Sequence, residues 1–486
     1  MNAESLVIEI RKLISMMPTL ERNEAIKQFE EKIFNKDKKN PELSYYFSKL
    51  IFGADVKRHA EIVIESKDPW LNYLFAKNIK GADIKKHETV VLESKDPRSC
   101  KCFANYIKGA DVLAHGKAII ESKYLDYNFW FAKEVPGADI KAHTELVLKE
   151  GNWDKIIRFA KYIKGESLAI ISKAILDSEN LYANYQYAKQ IEEADILEHG
   201  HVIIKSGDPQ YNYLFASEVK GADIKAHERT IIRSKSVKFS KLFVENFKDS
   251  DVIAHGKVIQ ECGTLEDNYE FALKVPGADV YAHGQKIIES KDLSKNFDFA
   301  KNIKGADILG HANVILESKD PVYNYIFASD IEGTDIDAHA QVVIDSGSAE
   351  YNYKFARVVK GANILRHAEV VIKSQNAEYN SLFARDVAGA NIERHGQVVI
   401  DSKSEKDNFW FAYDIEGANV LGHANVALES GNVELNQYFL FYIEGIDRDA
   451  HLKIVRAGMP TVFYRLKEDL KQKSKMKKLK KALEQI

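Results

Sequence analysis

The chain is predicted to be all-α: a right-handed superhelical α-solenoid of two-helix repeats with a helical cap at each end. Three observations lead there. A 28-residue phrase returns in strict register from about Tyr45 to His451, the signature of a repeat architecture. Within the phrase, inward residues recur at spacings of three and four, as on one face of a helix. Each helical stretch is bounded by capping residues and turn formers. Histidine marks the register: His59, His87, His115, His143, His199, His227, His255, His283, His311, His339, His367, His395, His423 and His451 lie 28 residues or a multiple apart. Ile171 fills the one missed slot, and His201 is the one histidine off the series.

Taken in order, residues 1–40 precede the repeat. Residues 4–16 and 19–34 read as two amphipathic helices broken at Pro18, an N-terminal cap for the first repeat. After Pro41 the phrase ELSYYFSKL joins the register at Phe47, and residues 41–458 hold about fifteen repeats.

Residues 305–332, GADILGHANVILESKDPVYNYIFASDIE, show what one repeat encodes. Asp307 caps a first helix whose Ile308, His311, Ile315 and Ser318 share one face. The turn Ser318-Lys319-Asp320-Pro321 stops that helix and starts the next, with Asp320 as cap and Pro321 at the first helical position. Asn324, Phe327, Ala328 and Ile331 face inward on the second helix, and Gly333 is placed for a left-handed C-cap. Helices of about three turns are not stable alone in water, so stacking must supply the stability.

The recurring His and Asn (His59, His87, His115, His143 and His311 with Asn72, Asn128 and Asn324) are read as a buried structural series. In one repeat the usual Asn and His become Ile156 and Ile171 together. Joint replacement implies shared hydrogen bonds, because a lone survivor would be unpaired at ~1–3 kcal/mol. Stacked helices sit about 8–10 Å apart, too far for successive histidines to share an ion whose ligands lie about 2 Å from it. No metal, cofactor or catalytic residue is therefore expected. The chain also lacks a GxxxxGK[ST] phosphate loop, HExxH, GxSxG and CxxC.

Partner binding is expected on second-helix positions that face away from the core. One slot holds Leu74, Trp130, Leu214, Leu242, Ile326, Leu382, Trp410 and Tyr438, with Trp70 close by, and in other repeats Arg158, Glu270, Asp298 and Lys354. Apolar residues that vary along a repeated frame suit a concave protein- or peptide-binding face. The competing reading packs them between adjacent second helices. Beside that slot run Lys77, Lys133, Lys161, Lys189, Lys301, Arg357 and Arg385, and a second stripe of Lys80, Lys108, Lys164, Lys220, Lys248, Lys304 and Lys360. These cations oppose the helix dipole, or they serve an alternative partner, nucleic acid or another polyanion.

Residues 459–486 are expected to form a basic C-terminal helix, with Lys477, Lys478, Lys480 and Lys481 among its cations. Residues 461–486 carry nine Lys or Arg against three Asp or Glu, while the whole chain has a formal charge of −3. The preceding 460 residues are thus mildly acidic, which counts against wrapping nucleic acid along their length. Two repeats depart from the pattern, near 150–171 and 235–250. Three cysteines form no disulfide framework, no apolar run approaches a membrane span, and the first residues lack the order of a secretory signal. A reducing cytoplasm follows as the expected compartment.

The phrase SKDPVYNYIFA followed by GTDIDAH resembles the broad α-solenoid group that includes HEAT-like and leucine-rich-repeat-variant proteins. That resemblance covers residues 45–451 in architecture only; the 28-residue length and the His and Asn series depart from the usual forms. The Lys-, Asn- and Ile-rich style resembles tandem-repeat proteins of low-GC bacteria or their phages.

Overall fold

The computed structural model describes residues 2–35 and 39–458; the basic segment expected at 459–486, with Lys477, Lys478, Lys480 and Lys481, lies outside them. Among the described residues there are 32 helices and no strand. The chain divides into two compact units, Met1–Ser234 and Lys235–Ile486.

The first unit opens with helices Ala3–Ser15 and Thr19–Phe34, whose Val7, Ile10, Ile14, Ile26 and Ile33 pack with Leu43, Phe47 and Ile51 of the first repeat phrase. These two helices cover the apolar end of the stack, as a terminal lid must. Helix pairs then follow, from Val56–Glu65 with Pro69–Asn78 to Ile224–Arg233. The second unit runs from Val237–Asn246 to Arg448–Gly458 on the same plan. Within each unit a second helix packs on the first helix of the following repeat and on the second helices beside it. Both units are thus α-solenoid stacks of helical pairs.

The expected caps are present. Asp307 accepts from the Gly310 amide at 2.9 Å, and Asp320 accepts from Tyr323 N at 3.0 Å with Pro321 at the first helical position. Gly333 has φ +81°. The turn between the helices also uses a left-handed residue that the sequence did not reveal: Lys319 has φ 56°, Lys95 has 53° and Glu179 has 51°, whereas Gly151, Gly207 and Gly431 fill the same slot elsewhere. Serine stabilises that turn twice. Ser318 Oγ donates to Ile315 O at 2.6 Å and accepts from Asp320 N at 3.1 Å. The left-handed lysine reaches the first helix of the next repeat, as in Lys95–Glu121 at 2.6 Å and Lys235–Glu261 at 3.0 Å. One repeat has both signs exchanged, with Glu179 paired to Lys205 at 2.7 Å. The acidic residue at the end of the first helix is thus engaged by this cation.

Nearly every described repeat centres on one phenylalanine of the second helix, with Tyr187 in that slot in one repeat. Phe75, Phe215, Phe327 and Phe383 are wholly buried, and each stacks on the histidine of the following first helix, 4.8 Å between centroids for Phe75–His87 and 4.7 Å for Phe383–His395. In most repeats the residue after the histidine is Gly or Ala, because the next layer comes close. A Cβ added to Gly116 would lie 3.2 Å from both His143 Nε2 and Phe131 Cε1.

Candidate functional site

The His and Asn series is a structural device. Asn324 Nδ2 donates to Ile315 O of its own repeat at 2.9 Å and to Asp320 O at 2.8 Å. With both amide hydrogens committed, its Oδ1 is the acceptor, and His339 Nδ1 of the next repeat donates to it at 2.7 Å. Eleven Asn–His pairs repeat this 15-residue link, nine of them at 2.7–2.8 Å. Ile156 and Ile171 stand in the same 15-residue relation and are both fully buried, as expected of a pair that loses its bond jointly.

A second compensation was not foreseen. Where Asn is replaced by Ser44 or Cys100, the following His59 or His115 has no Oδ1 to meet. In both cases a buried glutamate approaches the other ring nitrogen: Glu30 Oε1 lies 3.4 Å from His59 Nε2 and Glu88 Oε1 3.4 Å from His115 Nε2. The same carboxylates accept the cap-residue amide of the next first helix, Asp55 N at 2.6 Å and Asp111 N at 2.5 Å. The signal lay in the sequence, since Glu228 recurs one repeat before His255, where Ser240 holds the Asn slot. In most other repeats that slot is Gly or Ala, and Nε2 of His87, His143, His311 and His395 has no hydrogen-bond partner.

Burial pushes these imidazoles down, to about 4 for His87, His311, His395 and their equivalents, because the charged ring would be stripped of water. Glu88 pulls His115 the other way, yet burial dominates and it too falls to about 4. The rings are therefore neutral, separated and engaged in packing. Among the described residues no three His, Cys, Asp or Glu side chains gather as a metal site.

The outward slot of the second helix divides sharply. Trp70, Leu74, Trp130, Leu214, Leu242, Ile326 and Leu382 are half-buried, and Trp70, Leu74, Trp130, Leu214 and Leu382 pack against the repeat cores. Packing between neighbours describes these five. Several are also covered by cations, with Arg98 4.0 Å from the Trp70 ring and Lys133 5.0 Å from Trp130. Trp410 and Tyr438 differ, at 46% and 43% exposed. With Phe409, Tyr413 and Tyr442 they line an open cleft of about 670 Å³.

The basic stripe is largely occupied. Lys77 lies 4.4 Å over Tyr106 and its Nζ is 2.9 Å from Tyr73 Oη. Lys133 lies 4.2 Å over Tyr162. Lys301 pairs with Asp330 at 2.7 Å, and Arg357 and Arg385 both meet Asp386, at 3.9 and 2.8 Å. Lys161 is exposed. Helix-dipole placement and pairing with the next repeat thus act together on these cations.

Sequence reasoning missed an apolar stripe on the first helices. Leu113, Leu197, Tyr281, Leu309, Leu365 and Leu421 share one slot two residues after the cap and are all exposed, Leu309 and Leu365 to 70%. The 28-residue register alone could have found them.

No helix among the described residues is long and apolar enough to cross a membrane. No protein-family model, curated protein or solved structure matches the chain.

Proposed function

We propose that the protein is a non-enzymatic repeat scaffold that holds a protein or peptide partner on the outer face of its second helices. The observation that carries this reading is the contrast within one slot: a recurring buried frame carries residues that differ from repeat to repeat, and at Trp410 and Tyr438 they stand exposed around a cleft. Exposed aromatic clusters of this kind are what binding hot spots are made of. A partner recognised by such a surface needs no covalent chemistry.

The test is capture from an extract of the native host with the full chain as bait. Trp410→Asp with Tyr438→Asp should abolish capture while leaving the thermal melt unchanged, because both side chains are half exposed. Undiminished capture would refute the assignment of this face. Polyanion binding remains the second reading, on the strength of the net positive charge of residues 461–486. It requires retention on heparin that falls steeply with salt, and no retention at low salt removes it.

A further inference from the structure

The chain contains the aromatic cleft twice, once filled and once open, and the filled copy identifies the guest. The sequence NFWFA occurs at Asn128–Ala132 and again at Asn408–Ala412, in the same register of the repeat. Both copies set the tryptophan edge-on to the preceding phenylalanine, 5.1 Å apart for Phe129–Trp130 and 5.2 Å for Phe409–Trp410. Both receive a tyrosine from the following repeat, with Phe129–Tyr162 at 5.1 Å and Phe409–Tyr442 at 6.3 Å.

In the first copy the rings hold two cations of the chain itself. Lys133 Nζ lies 4.2 Å from the Tyr162 centroid and 5.0 Å from Trp130, and the Arg158 guanidinium lies 4.7 Å from Phe129. The cavity left beside Phe129 and Arg158 is about 20 Å³. In the second copy the register puts Tyr413 where Lys133 was and Tyr438 where Arg158 was. Neither can serve as a cation, and the volume is about 670 Å³. Tyr413 stacks parallel to Phe409 at 5.8 Å, so the new rings extend the aromatic wall and bring no charge of their own.

The rim favours positive charge. Glu405 and Glu434 line the cleft, the first held by Asn432 Nδ2 at 2.6 Å and the second by the Tyr438 hydroxyl at 2.9 Å. One lining cation, Lys406, stands at the slot of Asp126. A ring face attracts ammonium and guanidinium groups, most strongly where water is displaced.

We infer that the cleft formed by Phe409, Trp410, Tyr413 and Tyr438 binds a basic peptide segment, whose lysine and arginine side chains take the places that Lys133 and Arg158 occupy in the filled copy. This rests on the scaffold reading above and names the chemistry of the partner. The cleft volume falls within the range of small-ligand and side-chain pockets, large enough for two adjacent cationic side chains.

The experiment uses the full chain and a fluorescein-labelled octapeptide of alternating Gly-Lys-Arg-Gly, read by anisotropy. A matched octapeptide carries norleucine and citrulline in place of lysine and arginine. The cationic peptide should bind at least tenfold more tightly than its neutral twin. Trp410→Ala, which changes no charge, should weaken it about tenfold, and Tyr413→Lys with Tyr438→Arg should close the cleft and abolish binding. An affinity unchanged by Trp410→Ala overturns the inference, because attraction to a mildly acidic chain then suffices. Equal binding of the neutral peptide also overturns it, yet leaves the scaffold reading standing. Displacement by tetramethylammonium at the concentration of the peptide itself would overturn it in favour of a free organic cation. Self-association abolished by Trp410→Ala would overturn it in favour of a second copy of the chain.

Discussion

Asn380 offers the most direct test of how the repeats are tied together. Its Nδ2 donates to Val371 O and Asn376 O, both at 2.8 Å, and its Oδ1 accepts from His395 Nδ1 at 2.7 Å. Asn380→Ile removes all three bonds, but not all three losses are equal. Val371 O keeps the Ser374 hydroxyl at 2.6 Å, and Asn376 O still accepts the backbone amide at position 380. His395 Nδ1–H is the group left without a partner, in a ring that is wholly buried. An orphaned buried donor costs ~1–3 kcal/mol, so the single variant should lose about 2–4 kcal/mol once strain from the branched side chain is included. His395→Ile alone orphans Oδ1 and should cost a similar amount. The double variant, which copies Ile156 and Ile171, should lose at least about 1.5 kcal/mol less than the sum of the two. A second rescue is written in the chain: Asn380→Cys with Ala368→Glu reproduces, in register, the Cys100, Glu88 and His115 arrangement. Denaturant unfolding of the four proteins measures the coupling. Additive losses within about 0.5 kcal/mol would mean that the Asn–His contact contributes nothing of its own, and the reasoning would fail.

Three further outcomes are expected. Each buried histidine takes up a proton far more readily unfolded, near 6.5, than folded, at about 4, so stability is complete above 6.5 and falls as pH drops toward 4. Between pH 7 and pH 5 each ring should cost about 2 kcal/mol, and the melting temperature read by circular dichroism should fall steeply over that window; a flat profile would contradict neutral, desolvated rings. Iodoacetamide at pH 8 should modify exposed Cys262 in the native protein and buried Cys100 only after unfolding, which peptide mass mapping decides. Leu309→Ser and Leu365→Ser, on the exposed first-helix stripe, should change unfolding free energy by less than about 0.5 kcal/mol; larger losses would show that this stripe is covered by something it stabilises.

The fold was legible because its determinants repeat. Asp307, Asp320, Pro321 and Gly333 each announce a helix end through local chemistry, and the same chemistry returns every 28 residues. The Asn–His bond was legible for a different reason: one repeat discards both partners at once, at Ile156 and Ile171. Lys319 was not legible as a left-handed residue, because lysine carries no local preference for that conformation and only Gly151, Gly207 and Gly431 in its slot hint at it. The nine outward residues could not be sorted from sequence either. Whether an aromatic pair such as Phe129–Trp130 is covered depends on the residue three places after the tryptophan and on residues of the following repeat, as Lys133 over Trp130 and Arg158 over Phe129 show.

That dependence explains how one frame can hold many surfaces. The buried Phe, His and Asn join one helical pair to the next, so an outer lysine can become tyrosine without altering those contacts. Where Lys133 and Arg158 are retained, the chain satisfies its own aromatic rings and closes the surface. Where Tyr413 and Tyr438 replace them, the rings remain and the charge is withdrawn. On the reading proposed above, recognition on such a scaffold arises by removing an internal guest, and the partner's chemistry is legible from the guest that the Phe129–Trp130 copy keeps.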